Sequence, residues 1–191
     1  MKKILVCIIF ILQFILVACS QSEAQAIEFD SYDGRNLTIG VIGKAPDIRE
    51  KDFVEFKEIQ FPDLKDTATE YDAIIITEEN LSEAADDKYI TIYEETKVPY
   101  FFIRSNKSYM PFVYEGSYEE APDYMELAYA IGILYKDGEL SSWAYGLYND
   151  IESEDNIQYA FTNIFKTIDE YSGKWFIMWS CRTKQWYATP I

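Results

Sequence analysis

The spacing of apolar and polar positions marks out strands and helices in an order that suggests a sheet with helices packed on it. Residues Asn36 to Gly43 place Leu37, Ile39, Val41 and Ile42 in one short run ending in Gly43, and Lys44-Ala45-Pro46-Asp47 breaks it, so a first strand is expected there. From Phe53 to Phe61, Phe53, Glu55, Lys57, Ile59 and Phe61 alternate with Val54, Phe56, Glu58 and Gln60, a period of two that reads as a strand stopped by Pro62. Tyr71-Asp72-Ala73-Ile74-Ile75-Ile76-Thr77 is a continuous apolar run, the pattern of a strand buried on both faces. Leu81 to Thr96 reads as one helix with Asn80 as its N-cap, and Val98 to Ile103 as a fourth strand that tolerates Pro99 at its start.

The second half is read differently. Arg104 to Asp123 is loop-like, with an apolar patch at Met110-Pro111-Phe112-Val113-Tyr114. Tyr129 to Lys136, Asp137-Gly138, and Glu139 to Tyr148 suggest a β-hairpin, because Asp-Gly suits a turn with positive φ at both central residues. A helix from Pro122 to Tyr135 capped by Gly138 is the competing reading, so 122–136 is open between helix and hairpin arm. Asp155 to Ser172 carries Ile157, Ala160, Phe161, Ile164, Phe165, Ile168 and Tyr171 on one stripe, the pattern of an amphipathic helix, and Gly173 stands where its C-terminal stop belongs. Trp175 to Ser180 suggests a last strand, and Arg182 to Ile191 carries no assignment. The expected fold class is α/β: a four-stranded, mainly parallel sheet with flanking helices plus an antiparallel hairpin, in a single domain spanning 36–191. A strand order like half of a flavodoxin-like sheet is an expectation by analogy.

The N-terminus changes the picture. Lys2 and Lys3 precede an apolar run from Ile4 to Val17 broken only by Gln13, and small Ala18 then meets Cys19. This is the layout of a secretory signal, and its apolar run is short for a bilayer-spanning helix. The tetrapeptide Leu16-Val17-Ala18-Cys19 resembles the lipobox of bacterial lipoproteins. The resemblance implies a diacylglyceryl group on the Cys19 thiol, cleavage between Ala18 and Cys19, and removal of 1–18. Two acyl chains suffice for stable anchoring where one does not. Residues 19–35 then form the lipidated cysteine and a polar tether. The lipobox and a style rich in Lys, Ile, Tyr and Glu also resemble small Gram-positive lipoproteins, a likeness that brings no activity with it.

Composition narrows the partners. The 191 residues include 17 Lys and Arg against 33 Asp and Glu, a net charge of −16, and signal cleavage would remove two lysines and no acid. Nucleic acid, which demands a basic footprint, is not an expected partner, and the body is not expected to lie flat on an anionic membrane. The expected partners are the membrane, through the lipid on Cys19, and an envelope protein. The 16 Tyr, 12 Phe and 4 Trp are read mainly as core and sheet-face material. Of the three cysteines, Cys7 leaves with the signal and Cys19 takes the lipid, so Cys181 has no intramolecular partner.

Most chemistry is excluded. The chain has no histidine, which removes Ser-His-Asp and Cys-His systems and His-based zinc sites. Gly40-Val41-Ile42-Gly43-Lys44 lacks the spacing and the Ser or Thr of a phosphate-binding loop, and its glycines are read as packing and turn positions. No cofactor, metal or catalytic residue is assigned. If the first and third strands are neighbours, Asp47, Glu78 and Glu79 crowd one edge at the carboxyl ends of the strands, a candidate site for a cation or other ligand. Three function classes follow. The leading one is a non-enzymatic, lipid-anchored binding module on the extracytoplasmic face of the cell membrane. The alternatives are a solute-binding component of a transporter and a His-free envelope hydrolase using these carboxylates.

Overall fold

A computed structural model describes residues 29–123 and 125–171. Ala18, Cys19, most of the tether, Gly173, the Trp175–Ser180 run and Cys181 lie outside the described residues. Among the described residues six strands form one sheet: β1 (Leu37–Ile42), β2 (Val54–Glu58), β3 (Ala73–Ile76), β4 (Tyr100–Ile103), β5 (Ala128–Lys136) and β6 (Glu139–Gly146). Their order is β2-β1-β3-β4-β5-β6. The first four in that order are parallel; β5 runs antiparallel to β4, and β6 to β5. The architecture is α/β with a mixed sheet. The hairpin is not an appendage to a four-stranded sheet but its continuation, pairing Phe102 with Ile131 and Ile103 with Ala130. The reason is composition, since every residue from Tyr129 to Leu134 is buried and such a strand needs cover on both faces.

Two cores lie on the two faces. Successive side chains of a strand point to opposite sides, so β4 sends Phe101 and Ile103 to one face and Tyr100 and Phe102 to the other. The first face also holds Ile39, Val41 and Ile75, and it is covered by helix α4 (Glu154–Tyr171) through Phe161, Ile164, Phe165 and Ile168. The second face is covered by the chain between β2 and β3, including α1 (Leu64–Thr67), and by α2 (Leu81–Ala84) and α3 (Ile90–Thr96) between β3 and β4. The 104–123 loop also lies on this face and stacks Phe112 on Phe102 with 3.5 Å between ring centroids. The β1–β2 connection contains no helix; buried Ile48 takes that place beside α4.

Several expectations are corrected. The single helix expected over 81–96 is two helices separated by a 3-10 turn. Asp86 adopts an extended backbone (φ −69°, ψ 130°) and its carboxylate accepts the Lys88 N–H, so a local side-chain bond competes with the helix and wins. Asn80 does not cap α2; its side chain reaches back to β1. The second strand ends at Glu58, and Phe61-Pro62 opens a 3-10 turn that buries Phe61 on the second face. The 122–136 alternative, by contrast, is decided for the expected hairpin: among the described residues Ala128–Lys136 is β5, and Asp137 (φ 54°) and Gly138 (φ 83°) make its tight turn. The folded body also begins ahead of residue 36. Tyr32 is a core residue, 3% exposed, and Phe29 stacks on Tyr159 of α4 at 4.1 Å, so 29–35 belong to the body rather than to the tether.

Candidate functional site

Parallel sheets place their ligands outside the carboxyl ends of the strands, where successive connections leave on opposite faces. Here the β1–β2 connection lies on the α4 face and the β2–β3 and β3–β4 connections lie on the other, which puts that crevice between the ends of β1 and β3. The chain fills it with its own side chains. Thr77 donates its backbone N–H (3.1 Å) and its hydroxyl (3.2 Å) to the Ile42 carbonyl. Asn80 Nδ2 donates to the same carbonyl at 3.4 Å and to Thr77 Oγ1 at 3.2 Å. Gly43 permits this closeness: its φ is 107°, and a Cβ there would stand 1.8 Å from Thr77 Oγ1.

β1 and β3 are neighbours, as the candidate acid cluster requires, yet the three carboxylates do not act together. Asp47 is 85% exposed and paired with Lys51 at 2.7 Å, a pair that holds its carboxyl below the usual range. Glu79 turns back on the chain. Its carboxyl is lowered first by its own backbone N–H, then by the Thr77 hydroxyl, and also by the Lys44 N–H, which donates to Oε1 at 3.4 Å. Glu78 lies 3.8 Å from Arg104. Among the described residues no group of three acids is placed to hold a metal ion.

What remains open is a cleft of 190 Å³ beside the plugged crevice, lined by Lys44, Glu78, Arg104, Tyr129 and Phe161 among others. Arg104 is its centre. It ends β4 in the left-handed region (φ 60°), a conformation that costs a non-glycine residue roughly 1–2 kcal/mol. Its backbone N–H donates to the Tyr129 carbonyl, its guanidinium lies 5.5 Å from the Tyr129 ring centroid, and it is hydrogen-bonded to Glu152 ahead of α4. That bond raises the Arg104 pKa and lowers that of Glu152, while burial raises the Tyr129 phenol. A second open cleft of 270 Å³ shares Glu78, Arg104 and Tyr129 and runs on to Leu127, Leu147 and Asp150.

Sequence reading named Glu78, which lines both clefts, and missed Arg104, Tyr129 and Glu152. The signal for Arg104 was present, since it follows the fourth apolar run just as Glu78 follows the third. Glu152 and Tyr129 carried none, because only the antiparallel return of β5 and the docking of α4 bring them there. Comparison with known protein families, curated proteins and solved structures finds no match to this chain.

Proposed function

We propose that this chain is a lipoprotein held by Cys19 on the extracytoplasmic face of a cell membrane, and that its folded body is a non-enzymatic binding module. The observation that carries the second part is the plugged crevice. The position where such sheets hold small ligands is occupied by Thr77, Asn80 and the backbone around Gly43, and the cleft beside it among the described residues is an open one of 190 Å³. The carboxylates considered for hydrolysis are engaged separately, Asp47 by Lys51, Glu79 by its own loop and Glu78 beside Arg104. The sheet is read as a flavodoxin-like parallel half, β2-β1-β3-β4, extended by a hairpin. That likeness of architecture carries no activity.

The anchoring rests on Leu16-Val17-Ala18-Cys19 behind its basic and apolar leader. The test is metabolic labelling with a fatty acid in a bacterium expressing the full chain. The wild type is expected to incorporate label and to fractionate with membranes as a shortened product; Cys19→Ala is expected to remain an unlabelled, full-length precursor. Equal labelling of both removes the anchoring reading.

A further inference from the structure

We infer that the rim formed by residues 126–128 and 147–152 is a docking surface for a basic protein segment bearing an apolar anchor residue, presented close to the membrane. These two segments carry three of the large apolar side chains left in solvent: Leu127 (68% exposed), Ile151 (55%) and Tyr148 (44%). The 270 Å³ cleft brings Leu127 together with Leu147 and with Asp150 and Glu152, the residues on either side of Ile151, and a wider cleft of 590 Å³ that Leu127 also lines is bordered by Met125, Ala128, Ala144 and Gly146. An exposed apolar side chain between two open depressions is the form of a site into which a partner inserts anchors of its own.

Charge selects the partner. The two clefts are bordered by Glu78, Asp123, Glu126, Asp150 and Glu152. Arg104, the cation lining the 270 Å³ cleft, already binds Glu152 and lies near Glu78, and the Lys107 ammonium is bound to Asp123 at 2.6 Å. The surface is therefore apolar within an acidic border, complementary to Lys or Arg flanking a Leu- or aromatic-type anchor. The same border opposes contact with anionic lipid headgroups. The backbone adopts the left-handed region at Arg104, Asn149 and Asp150 (φ 60°, 52° and 56°), a conformation that Asn and Asp take readily in turns and that is strained only at Arg104.

The placement near the membrane rests on the anchoring reading. Phe29 packs against Tyr148 at 5.9 Å and Tyr159 at 4.1 Å, so the chain enters the body at this rim. Ten residue steps separate Phe29 from Cys19, at most about 35 Å of chain. On that reading the point where the chain enters the body stays within about 35 Å of the bilayer to which Cys19 is tied.

The test titrates the full chain, in neutral detergent micelles with empty micelles as blank, against three fluorescent peptides of equal length: Lys-rich with Leu and Trp anchors, Lys-rich with Ser in their place, and Glu-rich with the same anchors. The first is expected to bind in a salt-sensitive manner. Leu127→Ser and Ile151→Ser are each expected to weaken it about tenfold, while Tyr114→Ser, an exposed site on the opposite face of the sheet, leaves it unchanged. Failure of the first peptide to bind, equal binding of the Ser peptide, or indifference to both rim substitutions overturns the proposal. So does preferential binding of the chain to anionic vesicles. The two readings fail separately: peptide binding by a wild-type chain that takes up no fatty acid leaves the surface standing and removes the anchor, and labelling of the wild type without peptide binding does the reverse.

Discussion

The Thr162 hydroxyl on α4 donates to Glu50 Oε1 at 2.5 Å, joining the longest helix among the described residues to the helix-free β1–β2 connection 112 positions earlier. Glu50 is 3% exposed. The same oxygen accepts the Tyr32 N–H at 3.3 Å and Arg49 Nε at 3.2 Å, while Oε2 is buried without a hydrogen-bond partner among the described residues. One carboxylate thus ties the N-terminal segment, a connection and a helix into one layer. Thr162→Val, which keeps the shape and removes the donor, is expected to cost about 1–3 kcal/mol. Glu50→Ala, which leaves three donors without their acceptor, is expected to cost more. Urea midpoints at constant slope measure both; a Glu50→Ala midpoint equal to wild type removes this carboxylate from the account.

The seam extends to the start of the folded body. A chain beginning at residue 36 loses Tyr32, whose ring meets Phe53 and Phe165 and whose hydroxyl donates to the Arg35 carbonyl. Losing a buried aromatic of this kind costs about 3–5 kcal/mol. A chain beginning at 29 is expected to be more stable than one beginning at 36 by that order, read from urea unfolding of the two truncations. Equal stabilities would return 29–35 to the tether.

Alkaline pH tests the second face. Burial pushes the Tyr100 phenol up to about 12, partly offset by its hydrogen bond with Thr96. A phenol with an ordinary value of 10 unfolded and a higher one folded gives stability that is whole below pH 10. That stability is lost as pH rises toward 12, because the unfolded chain sheds the proton first. The free energy of unfolding is expected to fall across that window, and Tyr100→Phe to fall less steeply. A parallel decline in both would assign the loss to other groups.

Gly43 is the most constrained position at the plugged crevice. Gly43→Ala meets both an unfavourable φ and the Thr77 hydroxyl, and is expected to destabilise by at least 1–3 kcal/mol. Adding Thr77→Ala relieves the contact but not the backbone strain, so partial recovery of the melting temperature is expected. Full recovery would show that the positive φ carries no cost there.

Elements whose signal is local and uncontested were legible in the sequence. β3 could be read from four consecutive buried residues, the hairpin from Asp137-Gly138, and α4 from its stripe. The helix over 81–96 was misread because Asp86 has a polar side chain that satisfies a backbone N–H outside the helix, which apolar periodicity does not register. The rim was half legible. Glu78 follows from the carboxyl-end rule, but Arg104, Tyr129 and Glu152 converge only through pairings between distant segments. Tyr32 was hidden in a polar stretch, where it and Phe29 alone make no apolar run or stripe.

The path of the chain around α4 also has a mechanical consequence. From Phe29 beside Tyr159 it descends to Arg35, which bridges Asp72 and Asp169 near the amino ends of the strands, and only then turns up into β1. β1 is held on both sides, by β2 and by β3. A load applied at the N-terminus therefore first peels the seven residues from 29 to 35 off the helix, one grip after another. It then has to slide an interior strand past two neighbours at once. Such a body would yield in its first few contacts and resist abruptly afterwards, like a short webbing strap sewn into the middle of a cloth rather than along its hem.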